Sequence, residues 1–560
     1  MPMHATASSQ AEHSSAMLLQ HPSSFAFLSP VIVSAVLLGC LVLMRLPSIV
    51  LPYELNVDES QWLSQGMKFL QDPRPWKGID PTSSGPLNSY PISILLGMGF
   101  KPSYLMAHVL AAVLVSVQVL LSYLVFLRIG SKITALLGAI SMVLFYGDTV
   151  SPDFLHYSSE LFPALMLILG FYSFLVWSQD FPSRSESHQQ LLLFLGGLVL
   201  GMAPWFKIQA APIAAVLGLV IFTATLFLGS RSLSLRQRTL QTIVLCSGAL
   251  LPTVIMLAVL IACGSLRDFW NSYILENLFW AGPLTVKQLI DHCVYFFAQP
   301  HAQQLLNIFG FAFVLFLLSV LRSQAPWLPT AAHRWIFAGI LAYTGAALFA
   351  VCRPAKIFDH HTQFLIFPVT CLAVTLASPN TDWPAGEQSR SRRLYTMLFS
   401  IIVLGGLAVF SAYQARSSQS FYASNPRLKT NERLADMVGV IQKTRSVKSL
   451  AIWGWTPGVY VLTGIPPATR DAVAALVITK GPLQPYFRSR FLADLRSSMP
   501  DLFIDSATPN AFMWDWTKDD GYESDEELKK FIQDNYTLVA EVTLVRGARP
   551  VRYFAKRTAP

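Results

Sequence analysis

About eleven separate apolar runs punctuate this 560-residue chain, and they decide what it can become. They lie at 27–48, 103–127, 133–147, 159–177, 190–204, 210–229, 239–262, 303–321, 335–352, 363–378 and 394–413. The hydrocarbon core of a bilayer is crossed by about 20 apolar residues of helix. The third and fifth runs are short, and tilted or partly re-entrant helices are expected there. One such run fits a buried helix of a soluble protein, but a series with no soluble domain between its members does not. Only 13% of the residues are charged and 53% are hydrophobic; a soluble domain carries about 25% charged residues. The sequence reads as a polytopic α-helical membrane protein.

Residues 1–24 are polar and lack the charged start of a signal peptide, so they read as a disordered cytoplasmic tail. The first apolar run is too long for a signal peptide and is expected to stay as a helix. Lysine and arginine in short loops set orientation, because cytoplasmic loops carry them in excess. One alternate set of loops holds Arg128 and Lys132, Arg184, Arg231, Arg236 and Arg238, Arg322 and Arg334, and Arg390, Arg392 and Arg393. These loops are placed in the cytoplasm. The other set is 49–102, 148–158, 205–209, 263–302 and 353–362; it is rich in Trp, Tyr, His, Pro and acids and is expected outside. An odd helix count then puts the segment after 413 outside as well. The net charge of +9 fits basic loops facing anionic lipid. No zinc-knuckle, helix-turn-helix or RNA-binding pattern points to nucleic acid. The six cysteines form no CxxC pair and read as small buried hydrophobes; Cys293 and Cys352 fall by outer loops, where a disulfide between them stays open.

The long polar passage 54–91 interrupts this apolar sequence, with the acid pair Asp58-Glu59 at its head. Adjacent helical residues point in different directions, so one acid is expected to do chemistry and the other to hold structure. A plain helix-capping role is the alternative. The second outer loop offers Asp153 and Glu160, suited to holding an acceptor, a metal shared with Asp58, or the dipole of the following helix. Lys207 stands between two apolar runs, either snorkelling or pairing with an anion. Arg353, Lys356, His360 and His361 share one boundary with Asp359, a set that suits a phosphate. Adjacent histidines do not readily share a tetrahedral zinc, and no further ligand is spaced for one.

From 414 onward, charges become frequent and apolar runs shorten. SLAIWGW, DLFIDS, TLVAEVTL and VRYFAKR read as strands, and RSRFLADLRSSM and ELKKFIQDN as helices. Residues 414–560 are therefore expected to form a small extracytoplasmic α/β domain, beside a membrane domain over 25–413 whose first outer loop is 49–102. No glycine-rich phosphate loop occurs there.

The motifs NVDESQW, DPRPWKGID, SGPLNSYP, YSSEL, WFKIQAAP and FDHHTQFLIFP, with AIWGWTPGVYVLTGIPPATR in the last domain, resemble the GT-C superfamily of membrane glycosyltransferases. The branch they resemble contains protein O-mannosyltransferases and aminoarabinose transferases. The resemblance implies a polyprenyl-phosphate-linked sugar donor, used at the outer face of a membrane, with a bacterial inner membrane expected. It implies Asp58 as the catalytic acid with Glu59 beside it, and Asp153 or Glu160 as the second acid. Lys207, Arg353, Lys356, His360 and His361 are implied for the donor phosphate. Trp62, Trp76 and Tyr90 are aromatics suited to stacking on sugars. The expected partners are membrane lipid, the lipid-linked donor, and a glycan, lipid or protein acceptor. No cofactor is required by these residues, and a divalent cation is left open. A transporter or flippase of lipid-linked sugar is the rival reading; it calls for internal repeats, which the sequence lacks. A ligase or polymerase of lipid-linked glycans is a sibling activity.

Overall fold

The computed structural model describes residues 30–149, 151–180, 185–228, 233–283, 285–320, 328, 330–354, 356–378, 428–508 and 520–557. The expected amino-terminal tail and the run at 394–413 lie outside the described residues. Among the described residues, nine helices are long and apolar enough to cross a membrane. With the shorter Lys132–Gly147 helix they account for every other expected run. The chain is an integral membrane protein.

In chain order, the helices that frame the site are α1 (Pro30–Ile49), α2 (Val57–Gln71), α3 (Tyr90–Gly97), α4 (Tyr104–Ile129), α5 (Lys132–Gly147) and α6 (Leu161–Gln179). They are followed by α7 (Glu186–Phe206), α8 (Ala210–Phe227), α9 (Leu235–Cys263), α10 (Val286–Phe297), α11 (Pro300–Val320), α12 (Ala331–Cys352) and α13 (Gln363–Ala377). α2 and α3 belong to the long loop between α1 and α4, which is folded rather than open. Local chemistry sets the helix ends. Ser234 and Gln237 form a reciprocal capping box at the start of α9, and Gly264 closes it in the left-handed conformation at φ 64°.

Lipid tails are as apolar as leucine, so close packing rather than hydrophobicity holds membrane helices together. α7 and α9 achieve it with Gly197, Gly201 and Gly248. A Cβ at Gly197 or Gly201 would overlap the carbonyl oxygen of Leu245 or Ala249, and one at Gly248 that of Phe194. The two backbones therefore touch.

The carboxy-terminal domain carries a four-stranded sheet in the order β1-β2-β4-β3. The strands are β1 (Leu450–Trp453), β2 (Leu502–Asp505), β3 (Tyr536–Val542) and β4 (Val551–Lys556). β1 and β2 are parallel, and β4 runs antiparallel to both β2 and β3. Side chains alternate faces along a strand. Ala451, Trp453, Phe503 and Phe554 enter one core, while Leu450, Ile452, Leu502, Ile504 and Tyr553 enter the other. Both faces are covered, which is why β1 and the Leu502–Ile504 part of β2 read as continuous apolar runs.

This domain docks on the α1–α4 loop through buried charge. Arg490 lies 2.6 Å from both Asp80 and Asp471. Arg470 grips Asp494 with two bonds of 2.7 and 2.8 Å and reaches the Trp76 carbonyl at 3.3 Å. Asn431, in the helix Leu428–Gln442, donates to Glu54. Buried and beside Glu59, the Glu54 carboxyl is pushed up from 4.5 to about 7, although bonds from Ser60 and Asn431 oppose the rise.

Candidate active site

α2 starts at the membrane boundary because Asn56 caps it: its side-chain oxygen accepts the Asp58 amide at 2.9 Å. The side-chain nitrogen of Asn56 donates to Asp153 Oδ1 at 2.6 Å. One asparagine thus ties the α1–α4 loop to the α5–α6 loop and brings the segments of Asp58 and Asp153 together. The Asp58 carboxylate is half-buried and accepts no hydrogen bond among the described residues. Glu59 has the opposite character. It is fully buried, lies 3.0 Å from His108 Nε2, and accepts the amides of Leu55 at 3.3 Å and Tyr157 at 3.4 Å. Of the adjacent pair, Asp58 is the one with a free carboxylate and Glu59 the one built into the scaffold.

Behind Asn56 lies a buried lattice of opposite charges. Asp153 Oδ2 accepts the His360 amide at 3.3 Å and lies 3.2 Å from His360 Nδ1. The other ring nitrogen of His360 is 3.9 Å from Glu160 Oε1. Lys207 donates to that same oxygen and to Ser159 Oγ at 2.7 Å. Burial would raise both carboxyls, but the His360 charge and bond hold Asp153 below the usual carboxylate range, and Lys207 with the two histidines does the same for Glu160. Both acids are therefore charged at neutral pH, with cations facing them.

Backbone geometry puts Lys207 there. α7 ends at Phe206, leaving Lys207 extended at φ −155°, and Lys207 pairs with Ser84 in an antiparallel bridge. Gly85 donates its amide to the Phe206 carbonyl at 2.8 Å, and a Cβ at Gly85 would overlap the Trp205 carbonyl. The Gly85-Pro86 turn is thus a close approach that only glycine permits. Asn88 completes the seam with bonds to the carbonyls of Ser159 at 3.2 Å and Phe206 at 3.0 Å.

The remaining expected residues fall elsewhere. Arg353 donates to the carbonyls of Ala281 at 2.5 Å and Gly282 at 2.9 Å, at the wall of a cavity of about 200 Å³. Lys356 is exposed, 5.7 Å from the Trp280 ring. This cavity is lined by Ala281, Gln288, Leu289, His292, Cys352 and Arg353 among others, not by the acid cluster. Two stacking expectations are corrected. Trp62 is 2% exposed in the main helical core, and Trp76 is 0% exposed among Phe269, Tyr273 and Trp205, so neither offers a face to a sugar. Tyr90 is half-buried on Phe69 and donates to the Pro73 carbonyl at 2.9 Å.

Glu160, His360 and His361 place one ligand atom each within 4.8 Å of one another. Sequence spacing could not supply this third ligand, because Glu160 is about two hundred residues from the histidines. The buried His361 Nδ1 has no hydrogen-bond partner among the described residues, which leaves it open to an ion. Lys207, however, already donates to Glu160 Oε1, and the Ser159 hydroxyl donates to the other oxygen at 3.2 Å. A divalent cation and the Lys207 ammonium are alternative occupants of that corner.

Several residues of the site were not anticipated. Arg45, buried inside α1, donates to the carbonyls of Tyr146, Phe154 and Leu155 at 3.2, 3.0 and 2.8 Å and so fixes the α5–α6 loop. Its signal was an arginine within an apolar run, which is costly without a partner. His108 carried the same signal in α4. Gln363 bridges the Asp153 carbonyl at 3.2 Å and Ser158 at 2.9 Å.

No family model matches the sequence, and no curated protein matches it. Solved structures do match. ArnT from Cupriavidus metallidurans bound to undecaprenyl phosphate superposes at TM-score 0.57 and 11% identity, covering 93% of this chain and 97% of that one. The archaeal oligosaccharyltransferase AglB from Archaeoglobus fulgidus, in complex with an inhibitory peptide and a dolichol-phosphate, gives 0.50 and 12%, covering 85% and 69%. The chain has the GT-C fold of these membrane glycosyltransferases.

Proposed function

We propose that this protein is a glycosyltransferase that moves a sugar from a polyprenyl-phosphate donor to an acceptor hydroxyl at the outer face of a membrane, with Asp58 as general base. The observation that carries the reading is the contrast within one acid pair. Glu59 is saturated with bonds, while Asp58 stands half-buried and free beside a lattice of buried charges. The fold shared with ArnT bound to undecaprenyl phosphate supports the choice of donor.

An acceptor hydroxyl is a weak nucleophile. Asp58 takes its proton as the oxygen bonds to the anomeric carbon, and the bond from that carbon to the phosphate oxygen breaks. A carboxylate also stabilises the oxocarbenium character of the transition state. Polyprenyl phosphate leaves with growing negative charge, and a positive group held in a low-dielectric site stabilises it. Arg353 and Lys356 are proposed for that phosphate, on a segment continuous with His360 and His361. Lys207 and His360 hold the acids behind the site in place and keep the local charge balanced. A bacterial inner membrane, with the site and the carboxy-terminal domain outside the cytoplasm and a role in cell-envelope glycans, belongs to the same proposal. The nature of the sugar, hexose or pentose, is not fixed by these residues.

Asp58→Asn keeps size and hydrogen bonding but takes no proton, so transfer should fall about 10²–10⁴-fold with folding and donor binding retained. Glu59→Gln should lower stability more than chemistry, because its bonds run to the scaffold. Normal turnover by Asp58→Asn would remove the base from this loop.

A further inference from the structure

Asn56 uses both ends of its side-chain amide. Its Oδ1 accepts the Asp58 amide at 2.9 Å, and its Nδ2 donates to Asp153 Oδ1 at 2.6 Å. The partners dictate which end is which: a backbone N–H needs an acceptor, and a charged carboxylate needs a donor. Asp153 carries the connection onward. Its Oδ2 accepts the His360 amide at 3.3 Å and lies 3.2 Å from the His360 ring, and its backbone carbonyl accepts Gln363 at 3.2 Å. The α1–α4, α5–α6 and α12–α13 segments thus meet at one carboxylate, and Asn56 is the α1–α4 contact.

Capping alone does not call for asparagine. Aspartate and serine cap a helix as well, but neither offers an acceptor for α2 and a donor for Asp153 on one short side chain. A second tether lies just behind Asp58. Glu59 accepts the Tyr157 amide at 3.4 Å and the Leu55 amide at 3.3 Å. The first turn of α2 is therefore pinned to the α5–α6 loop both before and after Asp58. The Asp58 carboxylate accepts no hydrogen bond among the described residues, so the backbone it hangs from decides where it sits.

We propose that Asn56 is a positioning residue: its bridge to Asp153 holds Asp58 in place against the buried charges of the α5–α6 and α12–α13 segments. The inference rests on the reading of Asp58 as general base. Asn56 itself touches no reacting atom and acts through Asp58. A base displaced by about 1 Å can lose about 10²-fold in rate, so one hydrogen bond at this seam is enough to matter. Asn56→Asp separates the two jobs of the side chain. It keeps an oxygen for the Asp58 amide, and it replaces the donor facing Asp153 by a second carboxylate. The Glu59 tether is left intact, so the variant should fold. The exchange Asn56→Asp/Asp153→Asn puts the donor on the other side of the same bridge and keeps an oxygen for the His360 amide.

The test compares the full-length parent, Asp58→Asn, Asn56→Asp and the exchanged pair, each purified, in thermal melting and in transfer from a panel of polyprenyl-phosphate sugars. Asn56→Asp should lower kcat about 10- to 100-fold while the donor KM stays within about threefold of the parent, and the exchanged pair should recover about tenfold of that loss. A residue that only supported the fold would lower yield without this split between kcat and KM and without recovery by the exchange. Asn56→Asp should also melt below the parent, and the exchanged pair above Asn56→Asp. Parent-like kcat in Asn56→Asp, or an exchanged pair no better than Asn56→Asp, would overturn the proposal. A parent that moves no sugar from any donor, or an Asp58→Asn variant as fast as the parent, would instead strike the reading of Asp58. The melting comparison then still decides on the bridge, and an exchanged pair melting no higher than Asn56→Asp would show that it does not form.

Discussion

Replacing Lys207 by methionine keeps most of the side chain's length and removes its charge. The ion pair it breaks is buried on both sides, with the Lys207 side chain 7% exposed and Glu160 0%. Removing one partner of a buried pair costs about 3–5 kcal/mol, because the other charge is left without compensation. Glu160 would keep the Ser159 hydroxyl at 3.2 Å and His360 at 3.9 Å, so the lower end applies, about 3 kcal/mol. Without Lys207 the effect of burial should dominate, and the Glu160 carboxyl should rise and take up a proton. Thermal unfolding of the purified protein in detergent should therefore show a clear loss of stability for Lys207→Met. The double variant Lys207→Met/Glu160→Gln, which leaves no unpaired charge, should recover most of that loss. The single variant being as stable as the parent, or the double being worse than the single, would refute the reasoning that this pair is charged and closed.

Raised in the folded protein, the Glu54 carboxyl binds a proton between 4.5 and about 7 that the unfolded chain does not, so this group's contribution to stability is present below that window and is lost as pH rises through it. Glu54→Gln should flatten that part of the stability–pH curve measured by chemical unfolding, and an unchanged curve would count against it; Asp471, raised to about 7 mainly by burial, remains in both proteins. Gly201→Leu should force α7 and α9 apart at the Ala249 carbonyl and cost about 3 kcal/mol or more, read as lost folded yield, whereas Gly218→Leu, with open space around it, should be neutral.

Some of this molecule was legible in its sequence for plain physical reasons. A membrane helix needs a long apolar run, and such runs are visible without partners. The strands of the last domain were equally legible: LAIW and LFI are buried on both faces and therefore uniformly apolar. The acids, the histidines and Lys207 were visible as residue types in their loops, but their pairing was not. Asn56 with Asp153, Glu160 with Lys207, and Asp153 with His360 each join distant stretches, and nothing local announces them. Trp62 and Trp76 misled because an aromatic in a polar loop looks the same whether it faces a ligand or fills a core. Trp76 fills a core, and its backbone is held at φ 55° while Arg470 reaches its carbonyl. Lys207 read as a ligand for an external anion; its anion is Glu160.

The central claim is that the protein breaks the bond between a sugar and a polyprenyl phosphate. The purified protein in sealed proteoliposomes should be given a panel of polyprenyl-phosphate sugars radiolabelled in the sugar, together with an envelope extract as acceptor, and followed by lipid extraction and by the sidedness of the labelled lipid. The account predicts that label from at least one donor leaves the lipid and enters an acceptor product, and that Asp58→Asn abolishes this. Label that crosses the membrane while staying on its lipid, equally in both proteins, would contradict it and make the protein a carrier of the donor instead.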